Sequence, residues 1–94
     1  MTSKQIFNEV TAITGFGKVI LRSRSRSRSF VRARAFFAII AKAHGMSYPE
    51  IAALLDRDHT SIMNQIKKFK TDSVIGSWIL LLGDPLVDQH FAGI

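Results

Sequence analysis

Apolar side chains return every three or four residues along most of the chain, and no strand or hairpin signal appears. Ile6, Val10 and Ile13 form the first such stripe, opened by Thr2 and Gln5 in the arrangement of a capping box and closed by Gly15 and Gly17. Lys18 to Leu21 is predicted to be a short helical turn whose Val19, Ile20 and Leu21 dock onto the core. From Phe30 to His44, Ala, Phe and Ile dominate, and Arg32, Arg34 and Lys42 are the polar marks. A helix apolar almost all round is a central, buried one. Gly45 breaks it. Ser47-Tyr48-Pro49-Glu50 is a second capping box, with proline in the first turn, where its missing N–H costs nothing. Ile51, Leu54 and Leu55 then face inward as far as a stop near Asp56. After Arg57, Ile62, Ile66 and Phe69 fall at i, i+4 and i+7, with Thr60, Ser61, Asn64, Gln65, Lys67 and Lys68 mainly off that stripe. Thr71 or Asp72 starts one more helix through Val74, Ile75, Trp78, Ile79 and Leu82, ended by Gly83. Asp84-Pro85 turns the chain into a short tail over 84–94.

The expected fold is therefore all-α, a compact bundle of about five to six helices forming a single domain over 1–94. Residues 47–70, two short helices across a tight polar turn, have the helix-turn-helix layout. In that motif the second helix enters the major groove of DNA with its first residues on base edges. Here those residues are Asp58, His59, Thr60 and Ser61.

One stretch follows no apolar period. Arg22 to Ser29 reads RSRSRSRS, which has no face to bury and is expected to be a solvated loop until Ser27 or Ser29 caps the following helix. Three readings fit it: a loop on DNA phosphates and in the minor groove, an RNA-binding or phosphorylatable tract, or a solubilising linker. Its tethering between two core helices favours DNA contact.

Charge sharpens that choice. The formal net charge of the 94-residue chain is +6, and between Glu9 and Glu50 there is no acidic residue at all. That interval holds Lys18, Arg22, Arg24, Arg26, Arg28, Arg32, Arg34 and Lys42, whereas after Lys70 there are Asp72, Asp84 and Asp88 and no Lys or Arg. A one-sided basic segment is the electrostatic footprint of a polyanion binder; a merely solvated face mixes both signs. With no cysteine there is no disulfide framework and no thiolate zinc site, and a reducing, cytoplasmic, nucleoid-associated setting fits. No signal segment is visible, and no apolar run approaches the roughly 20 residues that span a bilayer, so no membrane partner is expected.

Asp58 and His59 raise the question of catalysis, but adjacent helical residues point about 100° apart and cannot form the base-orienting contact of a triad. Asp58 is also expected to cap its helix. His44, His59 and His90 show no metal-ligand spacing. Gly15-Phe16-Gly17-Lys18 lacks the length of a phosphate-binding loop, so no nucleotide is expected. The chain is read as a non-enzyme with no cofactor.

The stretch IAALLDRDHTSIMNQIKK, Ile51 to Lys68, resembles the signature of the C-terminal DNA-binding domain of the bacterial chromosomal replication initiator DnaA. RSRSFVRAR, Arg26 to Arg34, is similar to that domain's basic loop and the start of its long central helix. Weaker similarity runs from about Lys4 to Leu82. Gln65 stands where that family usually carries a small residue. The resemblance implies double-stranded DNA as partner, at sites like the boxes that family reads, in replication initiation or its regulation. It implies Arg26 in the minor groove, Asp58, His59, Thr60 and Ser61 on bases, and Arg34, Lys42 and Arg57 on phosphates. In so repetitive a loop Arg24 and Arg28 compete with Arg26 by a register slip. Lys67, Lys68 and Lys70 either complement the helix C-terminus or meet phosphates. Two other readings remain: a phage- or plasmid-type transcription regulator, dimeric through Trp78 to Leu82 if that segment is exposed, and an RNA-binding module using the Arg-Ser loop. Trp78 to Leu82 is most simply core.

Overall fold

A computed structural model describes Met1 to Gly93, and among these residues it contains seven helices and no strand: α1 (Ser3–Thr14), α2 (Lys18–Leu21), α3 (Arg28–Ala43), α4 (Tyr48–Leu55), α5 (His59–Lys68), α6 (Ser73–Leu82) and α7 (Pro85–Ala92). Most boundaries are chemical. Thr2 Oγ1 accepts from the Gln5 N–H at 3.2 Å while Gln5 Oε1 accepts from the Thr2 N–H at 2.7 Å, the reciprocal capping expected at α1. Ser47 and Glu50 repeat it at α4. Asp58 caps α5 and Asp72 caps α6. Gly15 ends α1 at φ +81° and Gly83 ends α6 at φ +65°, left-handed turns that a Cβ would strain.

α3 is the axis of the bundle. Ala33 to Ala41 is buried without a break, and α3 packs against each of the other six helices. Its alanines let neighbours approach on every side, and the gaps between them are filled by aromatic pairs. Phe37 lies 4.4 Å from Phe7 of α1, and Phe36 lies 5.4 Å from Trp78 of α6. α5 contributes Ile62, Ile66 and Phe69 to the same core, which leaves the rest of its surface outside. Ser27 occupies the cap position of α3 but makes no side-chain capping bond there.

Three expectations are corrected here. Of Val19, Ile20 and Leu21, expected to dock onto the core from α2, Leu21 is buried and Ile20 half-buried, but Val19 is 85% exposed. Over the described residues 84–93 the chain is not a tail; Ile94 lies outside the described residues. Asp84 Oδ1 accepts from the Leu86 N–H at 2.9 Å, Pro85 fits the first turn, and α7 buries Val87 against α3. That makes seven helices where about five to six were expected. The Trp78–Leu82 segment is split: Ile79 is buried and Trp78 and Leu82 are half-buried, but Leu80 and Leu81 are 79% and 71% exposed.

Two carboxylates fasten the last helices to α3. Arg32 Nε donates to Asp72 Oδ2 at 3.2 Å, and His44 Nε2 lies 2.6 Å from Asp84 Oδ2. Burial opposes ionisation of Asp84, but the bond to His44, the N–H groups of Leu86 and Val87 and the imidazole charge outweigh it, holding the carboxyl below its usual range. At Asp72, burial is likewise outweighed by the Ile75 N–H, by Arg32 and by the Val74 N–H. A folded-state pKa below the unfolded one stabilises the fold above the ordinary carboxylate range and loses that contribution as pH falls through the folded value. Asp84→Asn keeps a capping side chain but removes the charge. Urea denaturation is expected to find wild type more stable than D84N at pH 6, with the difference shrinking once the pH drops below about 4.

Candidate nucleic-acid interface

The head of α5 is built by Asp58. Its Oδ1 accepts from the Ser61 N–H at 2.8 Å, and the Ser61 hydroxyl lies 3.5 Å from Oδ2. Ile62, one residue on, is fully buried and sets the rotation of the helix. His59 and Thr60 are consequently exposed on the first turn, and half-buried Ser61 turns toward the Arg-Ser loop. The preceding turn is equally constrained. Asp56 sits at φ +55°, a left-handed conformation that aspartate tolerates better than most residues, and this lets α4 and α5 join through so short a link.

The Arg-Ser loop is two-faced. Ser23 and Ser25 are half-buried, while Arg22, Arg24 and Arg26 point into solvent. What lies beneath the serines corrects one expectation. Arg34, expected on a phosphate, is 1% exposed. Its Nε donates to the Leu21 carbonyl at 2.8 Å and its Nη1 to the Ser25 carbonyl at 2.9 Å. Its Nη2 donates to the Ser23 carbonyl at 2.8 Å and to the Ser23 hydroxyl at 3.2 Å, with the Ile20 carbonyl at 3.5 Å. Burial, and then the charge of Arg57, hold its pKa below that of a free guanidinium, though arginine stays charged at neutral pH. A buried cation is tolerable only when it is hydrogen-bonded, and here backbone carbonyls and one hydroxyl take the place of the usual carboxylate.

Arg57 is half-buried and bridges the two halves of the site. Nη1 donates to the Leu55 and Asp56 carbonyls at 3.3 and 2.9 Å, and Nη2 donates to the Ser23 carbonyl that Arg34 also holds. Loop and helix-turn-helix thereby share one acceptor.

Between them runs an open cleft of about 640 Å³, whose lining includes Arg24, Arg26, Asp56, Asp58, Ser61 and Gln65. Arg24 reaches Asp56 at 3.5 Å, an exposed pair of little energetic weight. Of the residues expected to act together, Arg24, Arg26, Arg57, Asp58 and Ser61 meet here, with His59 and Thr60 on the adjoining turn. Arg28 is exposed as the first residue of α3. Lys67 and Lys68 are exposed at the far end of α5, about 15 Å from Asp58 at 1.5 Å per residue. Lys42 does not join them. It lies about 20 Å along α3 from Arg28, with Nζ 4.4 Å from the Tyr48 ring centroid. It is near enough to His90 of α7 that its charge adds to burial in lowering that imidazole's pKa. Gln65 was overlooked as a site residue, although its spacing of i+4 from Ser61 puts it on the same helix face; its buried Oε1 has no hydrogen-bond partner. Among the described residues no three His, Cys, Asp or Glu side chains converge on a metal-sized site, and no helix is long and apolar enough to cross a membrane.

A family model described as the bacterial DnaA protein helix-turn-helix matches residues 3–69, which run from α1 through the Arg-Ser loop to the end of α5. α6 and α7 lie beyond the match. No solved structure matches the chain.

Because Asp58 caps α5, Asp58→Ala is expected to destabilise the fold by about 0.5–2 kcal/mol, whereas Asp58→Asn, which keeps an acceptor, should be nearly neutral. Thermal unfolding followed by circular dichroism measures both; equal losses would show that the cap contributes nothing.

Proposed function

The chain belongs to the bacterial DnaA helix-turn-helix family, a DNA-binding family, and from that premise we propose that it reads one DNA duplex in two grooves at once. α5 lies in the major groove and the Arg-Ser loop enters the adjacent minor groove. The observation that carries this reading is the shared cleft: Arg26 and the head of α5 flank the same opening.

Each residue has a matching chemistry. Asp58 accepts from a cytosine amino group without giving up its capping bond, since a carboxylate has lone pairs to spare. His59 and Ser61 serve acceptors or donors on purine edges, and the Thr60 methyl suits a thymine methyl. Arg26 suits the narrow, strongly negative minor groove of A·T-rich sequence. Arg24, Arg28, Lys67 and Lys68 neutralise phosphates along the flanks, with the N–H groups that Arg57 has left. Arg34 has no part in direct contact, and Lys42 would serve only a duplex that extends toward the head of α4. The family supports sites like the boxes that the initiator reads, and a role in starting or regulating replication.

A second reading is favoured by one observation, the exposure of Leu80 and Leu81 on a helix with no charged residue. Self-association through α6 would pair two helix-turn-helix units on a palindromic operator, as a transcription regulator requires. Sedimentation equilibrium separates the two, since the two-groove mode on an asymmetric site needs only a monomer.

Selection from a random duplex library at physiological salt is expected to return a short asymmetric site; recovery of unrelated sequences would sink the reading. About five phosphate contacts should give a slope near −4.5 in log affinity against log salt. Arg26→Ala or His59→Ala should cost about 1–3 kcal/mol and relax base preference, whereas Lys68→Ala should weaken all sequences alike and flatten the slope by about 1.

A further inference from the structure

A run of alternating arginine and serine carries its own ambiguity: sliding it by two residues puts the same side chain at each position. Sequence alone does not say whether Arg24, Arg26 or Arg28 faces the bases. The backbone beneath them is not ambiguous. Arg34 holds the carbonyls of Leu21, Ser23 and Ser25 at 2.8, 2.8 and 2.9 Å. The Ser27 carbonyl is held at 2.9 Å by the Val31 N–H, at the start of α3. The Ser27 N–H donates to Ser25 Oγ at 3.2 Å, closing a small turn around the residue between. That residue is Arg26. Arg24 is drawn to Asp56, and Arg28 is already helical. Arg26 is exposed and, among the described residues, enters no ion pair.

We propose that Arg34 is a positioning residue that sets the register of the loop, making Arg26 the one arginine of the repeat that reads the minor groove. The proposal rests on the two-groove reading above. A slip by two residues would have to draw the Leu21 carbonyl out of the end of α2, where Arg34 Nε holds it, or take the Ser27 carbonyl off the Val31 N–H, so the guanidinium, anchored at Leu21, fixes which carbonyls follow. Lysine cannot substitute. Its three protons leave one point, whereas the planar guanidinium reaches carbonyls on three sides. Identical side chains thus receive different tasks from a residue that touches no DNA.

The probe is the duplex that the wild-type chain itself selects, together with versions in which each A·T pair is replaced by G·C or by inosine·C. Inosine·C lacks the amino group that G·C places in the minor groove, but resembles G·C in the major groove. A pair that tolerates inosine·C and rejects G·C is therefore read from the minor groove. Arg26→Ala is expected to abolish that rejection, a loss of about tenfold. Arg24→Ala and Arg28→Ala should keep it while weakening every duplex alike. Arg34→Lys should abolish it as Arg26→Ala does, yet retain discrimination at pairs that reject both replacements, a split that general loss of structure would not produce. Retention of wild-type discrimination by Arg34→Lys overturns the proposal, as does its loss in Arg24→Ala or Arg28→Ala. Should Arg34→Lys fail to fold by circular dichroism, Ser23→Ala decides. It removes the side-chain oxygen that Arg34 Nη2 holds at 3.2 Å, and must lower discrimination at the minor-groove pair alone; no change there overturns the proposal. A wild-type chain that selects no sequence sinks the two-groove reading itself, and this proposal with it.

Discussion

A charged side chain sits in the interior of this small bundle with no carboxylate beside it, and the layout of the interface follows from how that charge is satisfied. Arg34 belongs to α3, yet every hydrogen bond its guanidinium makes goes to the segment before α3, on the carbonyls of Ile20, Leu21, Ser23 and Ser25 and the Ser23 hydroxyl. Those oxygens lie at the end of α2 and in the loop, where a helix supplies few N–H partners, although the Ile20 carbonyl also accepts from the Ser23 N–H and hydroxyl. One residue therefore answers two needs: the loop's unmatched acceptors and its own unmatched donors. Arg57 extends the arrangement by donating to the Ser23 carbonyl as well. Through that oxygen the basic loop, the central helix and the turn of the helix-turn-helix are tied to one point.

The central helix makes such a point possible. With Ala33 to Ala41 buried on every side, α3 is supported by all six other helices and does not yield to local strain. Its two ends are electrostatically distinct. The start carries Arg28 and the Arg-Ser loop, while the end is closed by His44 against Asp84. Acidic residues near the basic end are themselves engaged, Asp58 in capping α5 and Asp56 with Arg24. Arg22, Arg24, Arg26 and Arg28 are thus gathered at the start of the central helix, a charge placement of the kind that steers an encounter with a polyanion.

Most of the fold was legible in the sequence because its helix ends are chemical signals. The Thr2–Gln5 and Ser47–Glu50 boxes, Asp58, Asp72, Gly15 and Gly83 all act where their types and spacing predict. The apolar steps in α5 named its buried face in full. Three features were not legible, each for a physical reason. α7 buries only Val87, too weak a stripe to stand out, and Asp84-Pro85 reads as a turn as readily as a helix start. Leu80 and Leu81 are as apolar as their neighbours, and only the placement of α6 on α1 and α3 decides which leucines stay outside. Arg34 was the largest miss. An arginine in an alanine-rich helix marks the solvent side by composition, and its real partners are main-chain oxygens, which leave no residue-specific trace.

The same partners bear on how the loop can bind. Ordering a flexible backbone costs about 1–2 kcal/mol per residue, and a basic linker free in solution would incur that cost on meeting its ligand. Here the carbonyls of Ser23 and Ser25 are already fixed and the arginines between them already point outward. The ordering cost is met during folding, offset by the apolar burial of α3 and its neighbours. A domain of this size has only a modest stability margin, so holding a buried cation is a real thermodynamic commitment. A repeat that composition alone would assign to disorder becomes, by one side chain beneath it, a rigid edge on the fold.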